Sequence, residues 1–422
     1  MKLKPLPSLL MVVILAAGCG KGGSGSKPSA EVEAKLAAIR QAGEPVTLAE
    51  VDAWYVEPPA GENAAPLYAE AFAAVTIEDF KSPSFVTQNQ RAVELLHQAA
   101  ARTQCRYPID LKAGQKASMA HLPKLKICAQ LLALQAASDA AQGRVDLAVQ
   151  REFDDLRLVR SLELEPTAIS QLTRVRAAQA ATAGLEQMLN HGGVSAADLA
   201  KLQSAFEEME KGGSEGFARG FVGERCTIVH LFGASPQEAS DAAAMMGQPI
   251  AASFFGTYRK SSTNQADFNF CLDQLSSLVA AAKLPFPEGL DALGQWDDQI
   301  REAKDKGYVI AGVMLPNFAK TLTQFASRVG EVRTGQTALA VERYRLAHGM
   351  ALPASLSALV PQYVAAVPAD PFDGRPIHYK KISSKGYIIY SIGPNRQDDG
   401  GIELKGDMPL RGKYDLVFAV RR

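Results

Sequence analysis

Apolar residues recur at i, i+3 and i+4 through most of this chain, the spacing that gives a helix one buried stripe. From Glu31 to about Leu315 the sequence is rich in Ala, Leu, Gln and Glu and poor in strand formers, which predicts an α-helical domain large enough for a real core. The clearest stretches are Arg91 to Arg102, Lys124 to Gln142, Asp146 to Leu162 and Ile169 to Leu189. Ser195-Ala-Ala-Asp198 opens another in the manner of a capping box, running to Glu210. Gly143 and His191-Gly-Gly193 punctuate helix pairs.

The longest helical pattern begins near Pro316 and places Leu322, Phe325, Val329, Val332, Leu339 and Tyr344 on one side. Arg343, Arg345 and His348 crowd its last turn, where cations suit the helix dipole, and Gly349 is a left-handed cap. Leu352 to Pro361 then reads as a short turn of helix, and Pro368 to Pro376 as a cluster of turn formers. The period changes to that of strands at Ile377 to Lys381, Tyr387 to Ser391 and Tyr414 to Val420, with Ser383-Ser-Lys-Gly386 joining the first two as a hairpin. The predicted fold is mainly α: an irregular helical-hairpin array over 31–315, followed over 316–422 by a long helix packed on a small antiparallel sheet.

The run Ala340 to Gly349, Leu356 to Leu359, Pro368-Ala-Asp370-Pro371-Phe372-Asp-Gly374, Tyr390-Ser391-Ile-Gly393 and Asp398-Asp-Gly-Gly401 resembles the globular domain of the type II secretion major pseudopilin. The motifs follow in the same order over roughly the last eighty residues. The resemblance implies a pilin-like fold and a calcium ion in the loop after the Tyr-Ser-x-Gly strand. Carried over, its ligands are Ser391, Asn395, Asp398 and Asp399, with Asp415 in support. Asn395 stands where that family has an acid, and the expected prepilin leader and polymerising helix do not precede this unit, so pilus assembly is not implied. From the residues alone, Asp398, Asp399, Asn395 and the glycines suit either an oxygen-ligated calcium or a solvated turn.

At the other end, Lys2 and Lys4 precede an apolar run from Leu9 to Ala17 that is too short to span a bilayer, followed by Ala-Gly18-Cys19. This is the pattern of a secretory signal over 1–18 with a lipobox, making Cys19 the lipidated first residue; an ordinary secreted protein cut near Gly18 is the alternative. Gly20 to Ala30 holds no core former and reads as a flexible tether. Gly20, in place of the aspartate that commonly retains lipoproteins at an inner membrane, points to an outer membrane, facing the periplasm, in a two-membraned cell. The whole chain also resembles a group of bacterial lipoproteins with a helical front and a pseudopilin-like tail, a resemblance that implies no activity.

Forty-five basic residues balance 45 acidic ones, which argues against nucleic acid as a partner because it would select a basic surplus. Beyond Cys19, the cysteines Cys105, Cys128, Cys226 and Cys271 are an even number in an exported chain; Cys105 with Cys128 and Cys226 with Cys271 are the pairings nearest in sequence, against buried free thiols.

Catalytic motifs fail on context. Gly212-Gly-Ser214-Glu-Gly216 has the form of a nucleophile elbow but follows a helix, not a strand. Gly412-Lys413 lacks the P-loop spacing, and the six histidines are scattered singly. Asp154-Asp155 and Glu163-Leu-Glu165 read as solvated carboxylates. Ala136 to Leu156 resembles one tetratricopeptide-type hairpin, without the recurrence at about 34 residues that an array requires. Glu224-Arg225 is read as a structural ion pair pinning two helices. The functional expectation is a membrane-anchored envelope lipoprotein with protein partners, acting as a binding or scaffolding module; the alternative is an envelope hydrolase with a site in a helical groove near Glu224 and Arg225.

Overall fold

The computed structural model describes residues 27–402 and 414–422. Cys19, the signal stretch and most of the tether lie outside the described residues. The protein is mainly helical with one small sheet near its C-terminus. In chain order the helices are α1 (Ala30–Gln41), α2 (Leu48–Trp54), α3 (Ala65–Ala73), α4 (Phe85–Gln88), α5 (Gln90–Ala100), α6 (His121–Ala141), α7 (Val145–Arg160) and α8 (Ala168–His191). They continue as α9 (Ala196–Gly233), α10 (Pro236–Met245), α11 (Ala252–Tyr258), α12 (Ser262–Lys283), α13 (Glu288–Asp291), α14 (Trp296–Asp305), α15 (Val309–Met314) and α16 (Phe318–Ala347).

Local chemistry sets many of these boundaries. Ser29, Thr47, Thr167, Ser195 and Ser261 each accept a backbone N–H of the first turn that follows, and Ser235 with Glu238 forms a full capping box. Gly143 turns the α6–α7 hairpin at φ 73°. Packing decides the rest. The sharpest difference from the sequence expectation is α9, which does not end near Glu210 but runs on through Gly212, Gly213, Gly216, Gly220 and Gly223 to a total of 38 residues. Glycine is a poor helix former, yet these glycines recur about once per turn along α9. The α7–α8 connection lies hard against them: a Cβ on Gly223 would stand 1.7 Å from the Pro166 carbonyl oxygen, and one on Gly220 3.1 Å from that of Thr167. The close approach needs glycine. It also places Ser214 inside a helix, so the Gly-x-Ser-x-Gly run is no elbow.

Three strands, β1 (His378–Lys381), β2 (Tyr387–Ser391) and β3 (Leu416–Val420), form an antiparallel sheet in the order β1-β2-β3. His378 stands opposite Tyr390, and Tyr387 opposite Val420. Tyr387, Ile389 and Phe418 join the core beneath α16, while Ile388, Tyr390 and Ala419 cluster on the other face. This is the alternation of a pleated strand.

Two large apolar cores fill the interior. One gathers α2 to α9 with the sheet, and the other gathers α1, the second half of α9, and α10 to α15. Helix α16 carries both: Leu322, Phe325 and Val329 lie in the second core, and Val332, Leu339 and Val341 in the first. The C-terminal unit therefore shares its packing with the helical body. Helix α8 also bonds the last strand, for Asn190 Nδ2 donates to Ala419 O at 2.8 Å and Asn190 Oδ1 accepts Arg421 N–H at 2.6 Å.

Candidate functional site

The loop leaving β2 is laced by its own acids. Asp415, on the approach to β3, accepts Asp399 N–H at 3.3 Å on one oxygen and Gly401 N–H at 2.6 Å on the other. Asp398 accepts Gly400 N–H at 2.9 Å, and its second oxygen lies 3.7 Å from His378 Nδ1. Asn395 donates to Asp399 Oδ2 at 2.8 Å. Burial raises the Asp415 carboxyl, and the nearby Asp399 and Asp398 charges add to that, while two N–H donors oppose it. For Asp398 a burial cost is outweighed by the Gly400 N–H, His378, Tyr390 and Lys380, and its carboxyl is lowered.

Asn395, Asp398, Asp399 and Asp415 are thus brought together in one hydrogen-bonded loop. Ser391 is buried and turned towards α16, with its Oγ 3.1 Å from where a Cβ of Gly330 would be; it accepts Gly393 N–H at 3.3 Å. The donors are oxygens on a turn-rich segment, the chemistry calcium takes. Among the described residues no three His, Cys, Asp or Glu side chains converge as a metal cage. Sequence reasoning passed over Asp370, which is fully buried and accepts Phe372 N–H at 2.9 Å and Ile392 N–H at 2.8 Å, tying the turn cluster to the end of β2.

Glu224 and Arg225 do not pair with each other. Glu224 accepts Ala168 N–H at 3.0 Å, serving the first turn of α8, and Arg225 donates to Glu44 at 2.7 Å. Lys283 reaches the other Glu44 oxygen at 2.7 Å. Each residue does fasten α9 to another segment, as the sequence reading asked, but with a partner too distant in sequence to be foreseen. Burial would raise the Glu44 carboxyl, and its bonds to Lys283 and Arg225 outweigh that and lower it.

The expected disulfides are not formed: Cys105, Cys128, Cys226 and Cys271 are free thiols. Cys226 Sγ donates to Pro45 O at 3.3 Å and Cys271 Sγ to Asp267 Oδ1 at 3.5 Å. Burial pushes the thiols of Cys105, Cys128 and Cys226 up to about 12, so they are inert at neutral pH.

Carboxylates expected at a solvated face lie in the interior. Asp154 is buried and bonded to His97 at 3.0 Å. Glu165 is fully buried and held by His121 at 3.1 Å and by the Ser170 hydroxyl. Glu152 and Asp155, one turn apart on α7, are 0% exposed, and none of their four oxygens has a hydrogen-bond partner among the described residues. Burial drives both carboxyls well above the usual range, because a bare carboxylate is costly without water or donors, and so favours their neutral, protonated form.

Arg174 and Arg328 form the opposite case, two buried guanidinium groups flanking the glycine run. Arg174 Nη1 donates to Gly212 O at 3.2 Å and Arg328 Nη2 to Met209 O at 3.0 Å. Burial lowers them to about 10 and about 9, the second helped by the first one's charge, so both remain cationic at neutral pH.

A groove of about 460 Å³ opens between α9, the end of α12 and α16, and is lined by Glu210, Lys211, Ser214, Lys283, Phe286 and Arg333 among others. Its charges are largely matched, with Arg333 on Glu210 at 2.8 Å and Lys283 on Glu44. Compared with protein families, curated proteins and solved structures, the chain finds no match.

Proposed function

We propose that this chain is an exported lipoprotein of the cell envelope, anchored through Cys19, whose folded body is a binding or scaffolding module. Its C-terminal unit is pseudopilin-like and stiffened by calcium. The observation that carries this reading is the C-terminal unit itself: α16 laid on a three-stranded antiparallel sheet, with the Asp398–Asp399 loop laced to Asp415. Asn395, Asp398, Asp399 and Asp415 would supply oxygens to the ion, which would neutralise carboxylates gathered on one loop. The groove between α9 and α16 offers a partner an apolar floor at Phe286 and Val329 with a charged rim.

Two measurements on the full chain test the reading. Mass spectrometry of the mature N-terminus should find an acylated Cys19; a chain beginning at another residue contradicts the anchor. A photo-crosslinker at Lys211 or Ser214, on the exposed side of the groove, should capture a discrete envelope protein. Its absence from both positions in cells contradicts the binding role.

A further inference from the structure

No Asp, Glu, Lys, Arg or His occurs from Ala242 to Tyr258, the stretch that forms the end of α10, the turn at Gly247 and all of α11. One side of this helical pair is buried: Ala239, Ala242, Ala243, Phe255 and Tyr258 belong to the second core. The pair is held in place, with Ser240 Oγ donating to Ile250 O at 2.6 Å and Lys116 paired with Asp241 at 3.4 Å. Its outward side carries no charge, with three large apolar side chains among the exposed polar residues Gln248, Ser253 and Thr257. Met245 is 64% exposed, Met246 39% and Phe254 46%, and the intervening Gln248 and Pro249 are also exposed. A helix at a water boundary normally turns charges outward, and large exposed apolar side chains with no charge among them expect a non-aqueous neighbour.

The course of the chain indicates that neighbour. The described residues begin at Lys27, and Gln265 in the first turn of α12 binds both Lys27 O at 3.3 Å and Ser29 N–H at 2.8 Å. Helix α12 follows α11 directly, capped by Ser261, whose Oγ also donates to Tyr258 O at 2.6 Å. At about 1.5 Å of rise per residue, Phe254 and Gln265 each lie about one turn from this corner. The N-terminal segment therefore enters the body beside the apolar pair. Seven residues separate Cys19 from Lys27, eight Cα-to-Cα steps that reach at most about 28 Å, so an acyl chain on Cys19 and the Phe254 side chain can meet the same plane. Exposed Lys27 and Lys260 flank the patch with positive charge.

We propose that the α10–α11 turn is a membrane-contact surface, with Met245, Met246 and Phe254 set into the interface of an anionic phospholipid bilayer. It is a second attachment beside the lipid. A single acyl signal holds a protein reversibly, and an added apolar or basic contact makes the hold lasting. The inference rests on the anchored-lipoprotein reading for its orientation, while the patch itself can be tested without the lipid.

The test uses the chain from Gly20 onwards, which keeps both cores, and vesicles of phosphatidylethanolamine with phosphatidylglycerol. This unacylated chain should co-sediment with the vesicles, and Met245→Glu/Phe254→Glu should weaken partition by about tenfold or more. Both positions are exposed, so the melting temperature of the variant should match the parent and exclude misfolding. No vesicle binding by the parent overturns the inference, as does equal binding by the variant. Self-association through the patch, with no lipid binding, would assign it to a second copy and overturn it as well. On the acylated full chain, amide exchange over residues 244–254 should slow when vesicles are present; unchanged exchange contradicts the contact. If Cys19 carries no lipid, the anchor reading fails on its own, and the sedimentation result still judges the patch.

Discussion

Two acids of the helical body, Glu152 and Asp155, and two of the C-terminal tail, Asp370 and Asp415, are buried in opposite ways. In the tail, Asp370 and Asp415 each take two backbone N–H groups from turns that need them, and so hold irregular chain in place. In the body, Glu152 and Asp155 take none, because the backbone of the surrounding helices is already paired with itself. A buried carboxyl thus organises a structure where loops supply free donors, and opposes folding where helices do not.

The largest effect tests how tightly the body is packed around such groups. Gly223→Ala should cost about 3 kcal/mol, since its methyl group meets the Pro166 carbonyl and neither helix nor connection has room to yield. Urea unfolding measures this, and a loss below about 1 kcal/mol would mean the contact is looser than described. Asp370→Ala comes next, with a predicted loss of about 2–4 kcal/mol because two buried N–H groups lose their acceptor. Glu152→Gln or Glu152→Leu should instead be neutral or stabilising at neutral pH. If it destabilises as strongly as Asp370→Ala, the contrast between the regions is broken.

The same contrast has a pH dependence. Glu152 and Asp155 have folded values above their unfolded ones, so their ionisation costs the fold nothing at low pH and destabilises it increasingly as the pH rises from about 4 towards those elevated values. Asp398 is lowered in the folded state, so its small contribution is present at neutral pH and disappears as the pH falls through the acid range. Melting curves at pH 5 and 8 should show Glu152→Gln/Asp155→Asn flattening the alkaline decline. An unaltered slope would place that decline elsewhere.

Much of the tail was legible because its determinants are close in sequence. Gly349 ends α16 within two residues of the predicted stop, β2 runs from Tyr387 to Ser391 as read, and Asp398 bonds Gly400 two residues on. The body was less legible where tertiary contacts overrode local preference. Glycines that weaken an isolated helix allow α9 to be crossed closely, and Asp154 and Glu165 became interior groups because His97 and His121, far along the chain, reach them. The partners of Glu224 and Arg225, at Ala168 and Glu44, leave no mark at Glu224-Arg225 itself.

The most direct test of the central claim is a thermal melt of the chain from Gly20 in EDTA and then in calcium, repeated on Asp398→Ala/Asp399→Ala. Calcium at about a hundred times its dissociation constant should add about 2.7 kcal/mol. The shift should appear in the main transition, because α16 is shared between the tail and both cores. The account predicts an upward shift that the double variant loses; an identical melt with and without calcium would contradict it and leave Asp398 and Asp399 as turn residues alone.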